Sequence, residues 1–272
     1  MLMPRAILIA ATFPGFGLPA AVVVPCVQPG AIPAAAGGSA PARRDLPLSD
    51  YREFHLGDWK VFARADAQSS DDLRYRRVLA ALRFDLDVVE RCVPADALAA
   101  LKHIRIVITP ETSARPGLSG RGMCYHDSAD WLTANGFDAQ REDTVEICNM
   151  SDFLEWRAEQ PVMTLHELAH AYHDMIGFER EDVAAAHAAA LQKGLYQKVP
   201  YVLSPESRRA YAASNTREYF AELSEAYFGR NDYFPFTRVD LREYDPEGYA
   251  LVARLWGLSA AEIAGRSGAK GN

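Results

Sequence analysis

The sequence predicts an α+β fold: a small mixed sheet, then a predominantly helical C-terminal half. Two observations carry this. Short runs rich in β-branched residues or with period-two alternation are confined to the part before Ser151. From Ser151 onward, apolar residues recur mostly at helical spacing.

The elements follow in order. Met1 to Arg5 gives a short positive start, and "AILIAATFPGFGLPAAVVV" is apolar and uncharged. The small residues of "PGAIPAAAGGSA" come next, so residues 1–36 are expected to be an export leader. The alternative is a membrane anchor through residues 6–24, but Pro14, Gly15, Gly17 and Pro19 interrupt that run. No stable membrane association is expected. Cys26 follows Pro25 and lacks the small neighbour that lipid attachment wants. Residues 37–50 are rich in Gly, Pro and Ser and predict a flexible linker. Residues 51–265 are expected to fold as one domain, with a mixed α/β lobe over 51–150 and a helical lobe over 151–265.

Within that domain "FHLGDWKVFARAD" alternates like one strand. Asp71 to Val93 reads as a long helix, opened by Ser-Ser-Asp-Asp and closed by Pro94. "PADALAALKH" reads as a short helix and "IRIVITP" as a strand. "GMCYH" and "DTVEICNM" read as two more strands, joined by an irregular segment through Asn135-Gly136. Cys124 and Cys148 flank that stretch, and export would let them pair. Cys92 is then an odd thiol, expected to be buried at a helix end.

The chain has 272 residues, 49% of them hydrophobic, with a net charge of −7 and a pI near 5.5. That length supports a core without disulfide staples. The acidic balance argues against a nucleic-acid partner. The run Arg74-Tyr75-Arg76-Arg77 is the local exception and reads as a solvated helix face.

"TLHELAHAYHD" carries the chemistry. Leu165, Leu168, Ala169, Tyr172 and Ile176 form a buried helical stripe, with Pro161 near its start and Gly177 at its stop. His166, His170 and His173 share one face beside it. His166-Glu167-Leu168-Ala169-His170 is an HExxH pattern. Two histidines four apart can hold one zinc ion, and Glu167 can then serve as general base. His173 sits one turn on, and either lines the cleft or is a half-exposed histidine bonded to Asp174. His126 either reaches the cleft or is structural.

A catalytic zinc needs a third protein ligand. The elongated metzincin motif would need Gly third and His or Asp sixth after His170, where this chain has His173 and Ile176. The glutamate of thermolysin- and aminopeptidase-type gluzincins would fall near positions 189 and 190, which are both alanine. Glu181 lacks suitable neighbours. "YAASNTREYFAELSEAYFG" remains: Glu218, Glu222 and Glu225 repeat the spacing of the three histidines, with Phe220, Leu223 and Tyr227 on the other face. Glu218 is expected to be the ligand. A capping box with Asn215, or a solvated glutamate face, are the alternatives.

HExxH followed downstream by Tyr-x6-Glu-[aromatic]-Phe-Ala-Glu resembles the catalytic domain of anthrax toxin lethal factor and its relatives, gluzincin-type zinc metallopeptidases. The matching residues are His166, Glu167, His170, Tyr211, Asn215, Glu218 and Phe220-Ala221-Glu222, within Pro161 to Gly229, about a quarter of the chain. The resemblance implies a zincin-like metallopeptidase domain and one zinc ion on His166, His170 and Glu218. It implies Glu167 as base and Tyr211 as a phenol stabilising the transition state. Glu222 would orient a zinc-bound histidine. The substrate would be a peptide or protein, paired with an edge strand for which "DTVEICNM" is the candidate. A zinc hydrolase of a non-peptide amide or ester, or a non-catalytic zinc-binding module, are the rival functions. Tyr233, Phe234 and Phe236 either line a pocket or pack the C-terminal helix, Pro246 to Trp256.

Overall fold

The computed structural model describes residues 47–64, 73–110 and 122–259. The leader, the possible anchor, the linker up to residue 46, Cys26, the Ser-Ser-Asp-Asp cap and residues 260–265 lie outside the described residues.

The fold is mixed α+β. Strands β1 (Tyr51–Leu56) and β2 (Trp59–Arg64) form an antiparallel hairpin. The single strand expected here is thus two, because Gly57 takes φ +61° and lets the chain reverse in a tight turn. Helix α1 (Leu73–Cys92) and the short α2 (Ala95–Leu101) lead into β3 (Arg105–Ile108). Cys92 ends α1 exposed, not buried. Strand β4 (Met123–His126), helix α3 (Ala129–Ala134) and β5 (Thr144–Ile147) follow. The segment expected to be irregular holds α3, capped by the Ser128 side chain accepting from Trp131 N.

The sheet order is β1-β2-β3-β5-β4. β5 runs parallel to β3 and antiparallel to β4. The expected edge strand is therefore internal, and β4 takes the edge. All four β5 residues are buried, so the sheet is covered on both faces there. Alternation explains how. Val61, Ile106, Val145, Ile147 and Met123 point into the main core. Cys124, Glu146 and His126 point to the other face, beside a small cluster of Leu132, Phe137 and Cys148.

The helical half holds α4 (Met150–Trp156), α5 (Met163–Ile176), α6 (Glu181–Gln192), α7 (Thr216–Phe228), α8 (Arg238–Tyr244) and α9 (Pro246–Trp256). A hairpin unforeseen in the sequence, β6 (Val199–Tyr201) with β7 (Ser204–Arg208), interrupts the helices. Pro200 and Pro205 hide it, since proline removes a ladder donor and is confined to edges. Tyr233 and Phe234 pack as rings against Tyr201 and Tyr244, which favours their packing role.

One hydrophobic cluster runs from Trp59 through α5 and α7 to Trp256, so both halves share a core. Leu48 joins the fold too: it is buried and its N–H donates to Asp138 Oδ2 at 2.6 Å. Residues 47–50 of the stretch read as linker thus belong to the folded unit. Arg76 and Arg77 are exposed on α1, while Arg74 and Tyr75 are half-buried. Among the described residues no helix is long and apolar enough to cross a membrane.

Candidate metal centre

Helix α5 is held on four sides. Thr164 donates to Asp85 of α1 at 2.8 Å, and Arg157 holds the other oxygen of that carboxylate at 2.5 Å. Tyr125 of β4 donates to Asp174 at 2.8 Å. Tyr172 donates to the Leu255 carbonyl at 2.7 Å and stacks on Trp256 of α9 at 4.2 Å. The fourth side faces α7. All five residues of the expected stripe are buried, and Gly177 ends the helix at φ +100°.

Helix α7 is fixed as firmly. Asn215 is its N-cap, accepting from Arg217 N at 2.9 Å and Glu218 N at 3.0 Å. Arg217 pairs with Asp127, just past β4, at 2.5 Å. Trp256 donates to Ser224 at 2.9 Å and Tyr219 to Asp245 at 2.6 Å. Asn215 is thus the cap that fixes the first turn of α7. The solvated glutamate face does not occur, because Glu218, Glu222 and Glu225 are all buried. The expected division into a carboxylate face and a buried face fails for the same reason: every residue from Glu218 to Ala226 is buried.

Where the two helices meet, three donor atoms converge. His166 Nε2 lies 3.2 Å and His170 Nε2 3.3 Å from Glu218 Oε2, and the two imidazole nitrogens are 3.1 Å apart. Ligands held at about 2.0–2.1 Å around a tetrahedral ion stand about 3.3 Å from one another, so this triangle has the dimensions of an ion's coordination shell. The donor set, two imidazoles and a carboxylate, suits the same ion. The site is sheltered: the side chains of His166, His170 and Glu218 are 5%, 11% and 2% exposed. His166, His170 and Glu218 form a buried group able to hold a metal ion.

Behind the triangle stands Glu225. Its Oε1 lies 2.5 Å from His166 Nδ1 and accepts from Gln160 Nε2 at 2.8 Å. The carboxylate that orients the histidine is therefore Glu225, not Glu222. The two ring nitrogens of His166 reach different turns of α7, so the supporting carboxylate lies two turns beyond Glu218. Glu222 instead accepts from Asn231 Nδ2 at 3.1 Å. Glu225 also falls on the glutamate spacing visible in the sequence, whereas Gln160 and Asn231 carry no sequence signal.

The electrostatics follow from burial and proximity. Burial opposes charge on His166, but Glu225 and Glu218 outweigh it and raise its pKa well above the ordinary value. Burial would likewise raise Glu218, yet His170 and His166 bring it far below the carboxylate range. Glu222 is pushed up by burial, then by Asp232 and Glu225. Asp232 is pushed up to about 7 by burial, then by Glu225.

Glu167 is half-buried on α5 between the two histidines. Tyr211 sits in a short turn, Tyr211–Ala213, just before α7, with its ring stacked 6.4 Å from that of His166. Two other histidines are elsewhere. His173 is fully buried between the rings of Phe178 and Phe220, and neither of its nitrogens has a hydrogen-bond partner. It neither lines the site nor bonds Asp174, because packing closes over it. His126 lies on the sheet face opposite Tyr125, and so opposite α5, with Nε2 2.8 Å from Glu146. Strand alternation makes it structural.

No family model, curated protein or solved structure matches the chain.

Proposed function

We propose that this chain is an exported zinc-dependent peptidase of gluzincin type, similar to the lethal factor catalytic domain, with a zincin-like fold. The observation that carries the reading is the triangle of His166, His170 and Glu218 with Glu225 behind it. Hydrogen-bonded support behind a ligating imidazole fixes its tautomer and orientation, as metal sites require. Bound zinc would supply a polarising Lewis acid and an acidified water. Glu167, half-buried and adjacent to His166, would take that water's proton and pass it to the leaving amine. Tyr211 offers a phenol beside the site to the developing oxyanion.

The edge strand supports a peptide substrate over a small ester. β4 packs along α5, and no described strand pairs with its outer edge. An extended peptide can add there, main chain to main chain.

Metal analysis of purified protein tests the first step, with one zinc per chain expected. Glu167→Gln should keep the zinc and lose cleavage of a peptide library by at least about 100-fold. Glu218→Ala should lose the zinc, and Glu225→Gln should weaken its affinity about 10–100-fold. Wild-type protein without stoichiometric zinc, or cleavage undiminished in Glu167→Gln, defeats the reading.

A further inference from the structure

On the sheet face opposite α5, under α3, a second polar cluster is buried. Cys124, His126 and Glu146 bring ligand-type atoms together, and Cys148 follows β5 directly. Both cysteines are free thiols in this structure, with their sulfurs 2.8 Å apart, Cys148 fully buried and Cys124 7% exposed. A bound metal and a sulfur–sulfur bond are the two chemistries such a group offers.

The neighbours decide between them. Glu146 is engaged on both oxygens. Thr109 donates to Oε1 at 2.5 Å, while His126 Nε2 at 2.8 Å and Arg141 Nη1 at 3.0 Å share Oε2. The fully buried Arg141 guanidinium already supplies positive charge, and it opposes a second cation. His126 approaches Cys124 at 3.6 Å through the same nitrogen that binds Glu146. Two thiolates on a tetrahedral metal, each at about 2.3 Å, would stand about 3.7 Å apart. These sulfurs are much closer than that.

We propose that Cys124 and Cys148 form a structural disulfide that ties edge strand β4 to β5. Each thiol gives up its proton, a sulfur–sulfur bond forms, and the electron pair reduces a disulfide-class oxidant to its dithiol. Exchange needs access, and the cluster has almost none, so the bond forms before the fold closes and is then shielded. The cross-link closes a loop containing α3 and restricts the unfolded chain. This inference needs the oxidising compartment implied by the leader. It does not depend on the peptidase reading.

The full chain, secreted into an oxidising compartment, is alkylated in denaturant without reductant, digested and mapped by mass spectrometry. The Cys124 and Cys148 peptides should be joined, and the exposed Cys92 alkylated. The bond should survive dithiothreitol in the native protein and break in denaturant. Cys148→Ala should lower Tm by several degrees. Alkylation of both Cys124 and Cys148 overturns the proposal, as does reduction equally fast in native and denatured protein. If a metal ion also departs on Cys124→Ser, the cluster is a metal site instead. The mapping uses wild-type protein, so it decides the matter even if Cys148→Ala fails to fold.

Discussion

His173 is a histidine the fold keeps uncharged. Burial, followed by the electrostatic effect of His170, Arg217 and Arg180, lowers its pKa to about 3. In the unfolded chain it titrates near 6.5, so the unfolded state binds the extra proton first as pH falls. Its contribution to stability is complete above that value and is lost on acidification toward 3. At pH 5 the loss from this one residue is on the order of 2 kcal/mol. Urea unfolding at about pH 7.5 and 5 should show a larger decline for wild type than for His173→Phe; equal declines would mean that the buried imidazole does not govern acid sensitivity. The sequence placed His173 on the histidine face but could not reveal its burial. That depends on Phe178 and Phe220, one of them on another helix. The same limit separated Glu225 from Glu222. HExxH is legible because its chemistry and its spacing lie within one element. A supporting carboxylate is defined only once two elements are docked.

At the scale of elements, α7 presents Glu218 through its own first turn. Glu218 lies in that turn, where Asn215 Oδ1 holds its backbone N–H. Asn215→Ala frees two backbone donors and should cost about 1–2 kcal/mol in urea unfolding. The loss of a fixed first turn should also weaken metal binding. A variant with unchanged stability and metal affinity would show that the tertiary contacts of α7 hold Glu218 without the cap. Long helices such as α1, α5, α7 and α9 were legible because periodicity and stop signals agree along each. The β1–β2 reversal was missed because Gly57-Asp58 lies inside a continuous alternating run. The place of β5 could not be read from its own residues: Glu146 looks like a solvent-facing position, but its partners Thr109, His126 and Arg141 come from separate segments.

For the molecule as a whole, the expected two lobes share one core, and the triangle of His166, His170 and Glu218 lies within the helical half, between α5 and α7. An ion that binds only the folded state should stabilise the whole chain. Zinc at about a thousandfold excess over its dissociation constant should raise Tm by on the order of 10 °C, and a chelator should reverse the shift. The His166→Ala, His170→Ala double variant should show no rise. A comparable rise in that variant would place the stabilising ion elsewhere. The α+β class was legible from the order of the elements along the chain. The sharing of one core was not, because it is a property of the assembled layers.

The sheet order also bears on how the chain assembles in time. β3 and β4 are successive strands, yet β5 lies between them. A nascent chain that paired β3 with β4 first would occupy the slot of a strand not yet in place, and would have to separate again before β5 could enter. Helix formation is local and fast, whereas this insertion waits on a distant segment. The layer under α5 is complete only with β5 seated between β3 and β4, so the seat of the helix carrying both histidines depends on that strand.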